Sequence, residues 1–414
     1  MSDGYPTVNS TVEPRESREP AESAAPPVAA THGWRMVAAL AVTQTIGYGV
    51  LYYAFSVFLT PMTRDLRATG AQVAAGLTIS ILIAALCAPL AGRWLDARGG
   101  RGLMTAGSIL GATAVLAWSR VENLFQLYAV SAVIGVACAM VLYESAFAVI
   151  VSWFDDKSRP NALLAITIVA GFASAIFLPL TGLLVEWYGW RQALVILALT
   201  YGLTAIPLHA LVLRRRTHPR PRHERDGIVK AATRTRPFWL LVIAFTANGG
   251  AVAVMSVLLI TYLIHLGHTP VLAAALAGLL GVLSVTGRLL TTGLQRRLPA
   301  ALIAAAIFAL QGIAVLLLPL LGRTVPGAVG CVLLFGLGFG IASITLPHLL
   351  VDRYGTAAYA TLSGRIAVFS VADKALAPLG AVALAQTTGY GWVMGTVAAA
   401  CALAAGALLA YHRV

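Results

Sequence analysis

Charge is the first thing this sequence is short of: Asp, Glu, Lys and Arg together make up 11% of its 414 residues, against 59% apolar types. A soluble fold of that length would run out of polar side chains to cover its surface, whereas lipid faces Leu, Ala and Val directly. Short runs alternating polar and apolar residues are also missing, which excludes a transmembrane barrel. Backbone groups in hydrocarbon must then pair within each segment, and that leaves helices. Cysteine is scarce. Cys87, Cys138, Cys331 and Cys401 stand singly in apolar runs without metal spacing, so they read as buried thiols and not as a disulfide framework. The sequence has no phosphate-cradling Gly-rich loop with lysine, no HExxH pair, no metal cluster and no nucleophile motif with partners. Neither an enzyme, nor a resident metal, nor a cofactor is expected.

One long hydrophilic stretch interrupts the apolar chain. Residues 214–236, RRRTHPRPRHERDGIVKAATRTR, carry nine Lys/Arg against Glu224 and Asp226. Each flank is long enough for about six spans of the ~20 residues a bilayer requires. Candidate helices lie near 34–60, 71–92, 102–118, 127–151, 161–185 and 191–213, then 237–264, 271–294, 300–321, 326–349, 360–385 and 391–411. The expected fold is all-α and integral to the membrane, with twelve transmembrane helices in two six-helix halves, 32–213 and 237–414, joined by the basic linker 214–236. Residues 1–31, rich in Pro, Glu, Ser and Ala, are expected to be a disordered cytoplasmic tail and not a secretory signal. With both termini inside, Arg64, Arg67, Arg120, Arg191 and Arg323 fall in outer loops and most other basic residues in cytoplasmic ones. The formal charge of +13 is therefore a topology signal and implies no nucleic acid.

Weak internal repetition supports two halves. Pro179-Leu-Thr-Gly182 followed by Tyr188-Gly-Trp190 is echoed by Pro378-Leu-Gly380 followed by Tyr390-Gly-Trp392. Parallel six-span repeats place a binding site between them near the midplane.

The loop after span two reads Gly92-Arg-Trp-Leu-Asp96-Ala-Arg98-Gly99-Gly-Arg101. It resembles the GxxxDRxGxR loop of the major facilitator superfamily, with Ala97 in place of the usual first arginine. The glycines suit a tight turn, and the Asp and arginines can form a latch at the cytoplasmic face. Gly33-Trp34, Trp153-Phe154 with Lys157 and Arg159, and Gly189-Trp190-Arg191 resemble the monocarboxylate and oxalate/formate branch.

Among the charges that fall within predicted spans are Glu144, Arg288, Asp373 and Lys374. Each costs roughly 2.5 to 3.5 kcal/mol near a helix centre unless paired or hydrated. The oxalate/formate branch places an arginine and a lysine in these same spans eight and eleven, so the resemblance implies that Arg288 and Lys374 form an anion site. A guanidinium can grip a carboxylate through two parallel hydrogen bonds, while an ammonium adds a compact point charge. Alternatively, Asp373 and Glu144 neutralise the two cations permanently, although neighbours 373 and 374 point about 100° apart on a helix. Both carboxylates are proton-coupling candidates, and Glu144 reads equally as a fixed counter-ion. Gln44, Tyr48 and Tyr52, with Tyr53 beside them, and Asn248 can supply neutral hydrogen bonds. Pro378 cannot donate to the Lys374 carbonyl, so it is expected to kink span eleven, as Pro179 does span five.

The expectation is a secondary transporter of small organic anions, mono- or dicarboxylates, in the cell membrane. It would work by alternating access, with a proton or counter-anion as second partner and a monomer in the bilayer. An efflux carrier for amphipathic compounds and a membrane sensor on a carrier fold are the alternatives.

Overall fold

The computed structural model describes residues 27–214 and 222–414. Residues 1–26 of the expected tail, and 215–221 of the linker, lie outside the described residues. From Pro27 onwards the chain is helical, seven residues earlier than the expected start.

Span one comprises α1 (Pro27–Tyr48), a π-helical turn at Gly49–Tyr53 and α2 (Ala54–Asp65). Gly49 is needed in that turn because a Cβ there would collide with the Phe177 ring. Spans two and three are α3 (Gly70–Arg98) and α4 (Gly100–Trp118). Thr69 and Gln72 start α3 with a reciprocal capping box. Span four is α5 (Leu124–Val141), capped by Asn123, and α6 (Tyr143–Trp153), with extended backbone at Leu142 between them. Next come α7 (Arg159–Gly171) and α8 (Ala173–Pro207), the latter turning back on itself at Gly189, φ 75°. Spans five and six thus meet inside α8.

The described part of the linker includes a short helix, α9 (Arg222–Thr233). The second half follows with α10 (Arg236–His265), α11 (Pro270–Leu294) and α12 (Ala300–Leu321). Span ten is broken like span four, into α13 (Val325–Gly336) and α14 (Ala342–Tyr354). The chain ends with α15 (Tyr359–Thr388) and α16 (Tyr390–Arg413). Neither Pro179 nor Pro378 terminates its helix. Among the described residues, nine helical runs are long and apolar enough to cross a membrane. One of them, Arg159–Val212, is two spans folded at Gly189; Gly100–Trp118 and the broken span ten complete the twelve.

Each half has its own apolar core. Trp118, buried, packs between Phe55 and Phe58 with ring centroids 5.2 and 5.4 Å away in the first. Phe335 and Cys401 are among the residues at the centre of the second. The halves meet most closely where α3 crosses α15. A Cβ at Gly92 would overlap the Ala360 carbonyl, and one at Gly364 would meet the Ala88 carbonyl. Bare glycine backbones let these two helices touch, as small residues do in membrane packing.

The two Tyr-Gly-Trp motifs do not occupy equivalent places in the structure. The turn between spans five and six falls on Gly189, and that between eleven and twelve on Gly389, φ 92°. Gly391 of the second Tyr-Gly-Trp is helical. Trp190 is accordingly buried and donates from Nε1 to Asp65 at 2.7 Å, while Trp392 is exposed.

Candidate functional site

Two helix breaks frame the centre. The extended residue Leu142 lets α6 start afresh, so that Tyr143 and Glu144 reach the seam between the halves. In span ten, Gly338 and Gly340 lie in the turn between α13 and α14, where side chains would collide with Gln311 and with Arg288. Interrupted helices at corresponding places in two repeats are where carriers build their sites.

Between the breaks is a chamber of about 170 Å3 lined from both halves. Tyr48, Tyr143 and Glu144 come from the first; Asn248, Ser370 and Lys374 are among the residues from the second. Lys374 is accessible from this chamber, and the carboxylates within electrostatic range of it are Glu144 and Asp373. Neither forms an ion pair with it within 4.0 Å, the described pairs being Arg159–Asp156 and Arg191–Asp65. Permanent neutralisation by direct pairing is not what the side chains do.

Adjacent residues of α15 part company here. Lys374 lies over Gly249 and enters the chamber, whereas the Asp373 carboxylate rests against Gly250 and faces a separate groove on the flank of the second half. Arg288 sits beside the chamber without lining it. Its Nη1 donates to the Thr167 carbonyl of the first half at 2.9 Å and its Nε to the Gly340 carbonyl at 3.1 Å. The guanidinium therefore bridges the halves without an acid partner, within electrostatic range of Tyr48, Tyr53 and Tyr143.

Of the neutral candidates, Tyr48 and Asn248 line the chamber; Asn248 also donates to Gln311 Oε1 at 2.9 Å. Gln44 is turned away and donates to the Val141 carbonyl at 2.7 Å, which secures the end of α5 before the Leu142 break. Tyr52 is exposed and packs edge-on in an aromatic cluster with Tyr48 and Tyr53.

The loop motif closes one end of the seam. Asp96 Oδ1 accepts from the Ala360 N–H at 3.0 Å, and Oδ2 accepts from the Thr361 N–H at 2.8 Å and hydroxyl at 2.6 Å. A carboxylate of the first half thus holds the start of α15 in the second. Gly99, φ 77°, makes the turn from α3 to α4. The motif arginines do not join the latch, since Arg98 lies over the Trp94 ring at 4.3 Å and Arg101 is exposed. At the same end Trp34 packs edge-on against Phe154, 5.6 Å between centroids, so two of the resembling motifs touch.

Sequence reasoning missed Tyr143, Tyr359, Ser363 and Ser370 in the chamber wall, and the half-buried Arg365 near the start of α15. Tyr143 stood beside a residue already singled out. The serines carried no signal, because hydroxyls in membrane helices usually bond their own backbone.

The family model described as Major Facilitator Superfamily matches residues 40–372. The chain belongs to the major facilitator superfamily. It is therefore a multi-pass membrane transporter with a small-molecule substrate, not an enzyme. A relative called "MFS-type transporter" from Gibberella moniliformis is 27% identical over 339 residues, 79% of each chain. Monocarboxylate transporter 13 of Rattus norvegicus is 23% identical over 273 residues, 64% of this chain and 62% of that one. Among solved structures, a bacterial homologue of the iron transporter ferroportin aligns with a TM-score of 0.74 at 16% identity, covering 92% of this chain and 100% of that one. The E. coli fucose:proton symporter gives 0.72 at 14% identity, covering 91% and 98%. At these identities the likeness shows the superfamily fold and nothing finer.

Proposed function

We propose that this major facilitator carries small organic anions bearing one or two carboxylates across the cell membrane by alternating access. The observation behind this reading is an ammonium without a direct ion pair, Lys374, bordering a chamber at the seam of the two halves, with Glu144 on the opposite wall. A substrate carboxylate entering the chamber would neutralise Lys374 and accept hydrogen bonds from Tyr48 and Tyr143. Arg288 supplies a second positive charge next to the chamber, bonded only to carbonyls and so still uncompensated. With the Asp96 end taken as cytoplasmic, from the distribution of basic residues, the latch closes the cytoplasmic side. The loaded transporter would reach its other state by breaking that latch. The relative named as a monocarboxylate transporter fits this substrate class.

Binding to the purified protein tests it, with acetate, lactate, oxalate, a neutral sugar and a drug-like cation compared side by side. The carboxylates should bind, and Lys374→Ala should weaken them by about 10- to 100-fold, the scale of a hydrogen bond to a charged group. Tightest binding of the sugar or the cation, or carboxylate binding indifferent to Lys374, would overturn the reading.

A further inference from the structure

The chamber accounts for Lys374 and Glu144 but leaves Asp373 without a role. Asp373 lies in the middle of α15, about 21 Å from either end at the rise of a helix. It opposes Gly250, which is midway along α10. The carboxyl is thus placed at the depth where a charge costs most, on the flank of the bundle and not in its central chamber. It faces a groove of about 550 Å3 between α10, α15 and α16, lined almost throughout by aliphatic side chains.

Four residues of the groove are neither aliphatic nor glycine; Thr396 on α16 donates its hydroxyl to the Val393 carbonyl at 2.8 Å, and the other three cluster. Phe369, one turn before Asp373 on the same face of α15, is exposed and flanks the carboxyl. Thr246, one turn before Gly250 on α10, has a buried hydroxyl without a hydrogen-bond partner. Asp373 itself has no ion pair, and the ammonium of its neighbour Lys374 is directed to the chamber. Gly250 keeps the space beside the carboxyl clear of any side chain. An acceptor anion, an unpartnered hydroxyl and an aromatic ring around one bare patch of helix make a receptor for a small N–H cation. The aliphatic walls beyond it suit a hydrocarbon tail.

We propose that this groove is a binding site for lipophilic amines: an ammonium donates to Asp373 and Thr246 and lies against Phe369, while its alkyl or aryl chain runs along α10 and α16. The ligand arrives by partitioning into the bilayer, because the groove is on the flank of the second half and separate from the chamber. Charge pairing removes the cost of the lone carboxyl, and the hydroxyl gains its missing partner. The ring adds a cation–π attraction that is strongest in a desolvated setting such as this.

Equilibrium binding of labelled dodecylamine to the protein in phosphatidylcholine nanodiscs tests the site, with dodecanol and dodecyltrimethylammonium as references. Saturable amine binding should exceed that of both references by about tenfold, since one lacks the charge and the other the N–H donors. Asp373→Asn should remove that advantage, Asp373→Glu should restore most of it, and Thr246→Val should weaken it several-fold. Lys374→Gln should retain the preference for the amine over both references. Equal uptake by wild type and Asp373→Asn would overturn the proposal, as would loss of amine binding in Lys374→Gln with Asp373→Asn unaffected. A gel-filtration profile matching wild type shows each variant folded, and the Asp373→Glu rescue carries the result if Asp373→Asn does not fold. Carboxylate binding measured in the same discs reports separately on the chamber.

Discussion

An ammonium at mid-membrane costs about 3 kcal/mol on an insertion scale, so Lys374 needs compensation from water, an acid or a ligand. The structure supplies proximity to Glu144 but no ion pair, and proximity alone leaves room for an exchangeable anion. Because Lys374 contributes a point charge and Arg288 a second cation nearby, the two should differ in which substrates need them. Lys374→Ala should reduce oxalate affinity more than acetate affinity, by about a further tenfold if the two carboxylates are read at separate points. Isothermal titration with both ligands measures this, and equal losses would indicate one-point binding. That Lys374 and Asp373 address different spaces was legible in the sequence, since successive helical residues diverge by a fixed angle. Which of them faces the centre was not, because it depends on where Gly249 and Gly250 lie on the opposing helix.

At the level of elements, the crossing of α3 and α15 is the contact that defines this conformation. Gly92 and Gly364 permit it, and Asp96 secures it with three hydrogen bonds to α15. Asp96→Asn exchanges one acceptor oxygen for an NH2 group that faces donors. The closed crossing should lose about 2 to 3 kcal/mol, given 1.5 to 3 for each bond to a charged group. Spin labels on α3 and α15 should then report a shift from the short distance toward a longer one. Gly364→Ala should give the same shift by a steric route, with Asp96 intact. A short distance unchanged in both would mean the crossing is held by other contacts. The motif that marks this latch could be read directly from its letters. The break at Leu142 could not: leucine is a good helix former, and nothing in its own chemistry marks the extended backbone found there. Nor could the different placement of the two Tyr-Gly-Trp motifs, since positive φ chooses among several nearby glycines only in the folded chain.

The molecule as a whole places its two chamber charges on different halves, Glu144 on α6 and Lys374 on α15. Relative motion of the halves therefore changes the distance between them. A proton-coupled carrier of this design would use Glu144 as its proton-bearing group, with the substrate competing for Lys374. An exchanger has no such need, because the returning anion neutralises the site. Glu144→Gln separates the two schemes, being a neutral mimic of the protonated acid that cannot release a proton. In proteoliposomes without internal substrate, an external acid pulse should drive uptake by the wild type, and the variant should fall by about 100-fold, toward background. When the same anion is loaded on both sides, the variant should still exchange label at a rate within about tenfold of wild type, since no net proton movement is then required. Loss of exchange and uptake together would make Glu144 a structural partner of Lys374, and full net uptake by the variant would remove it from coupling altogether.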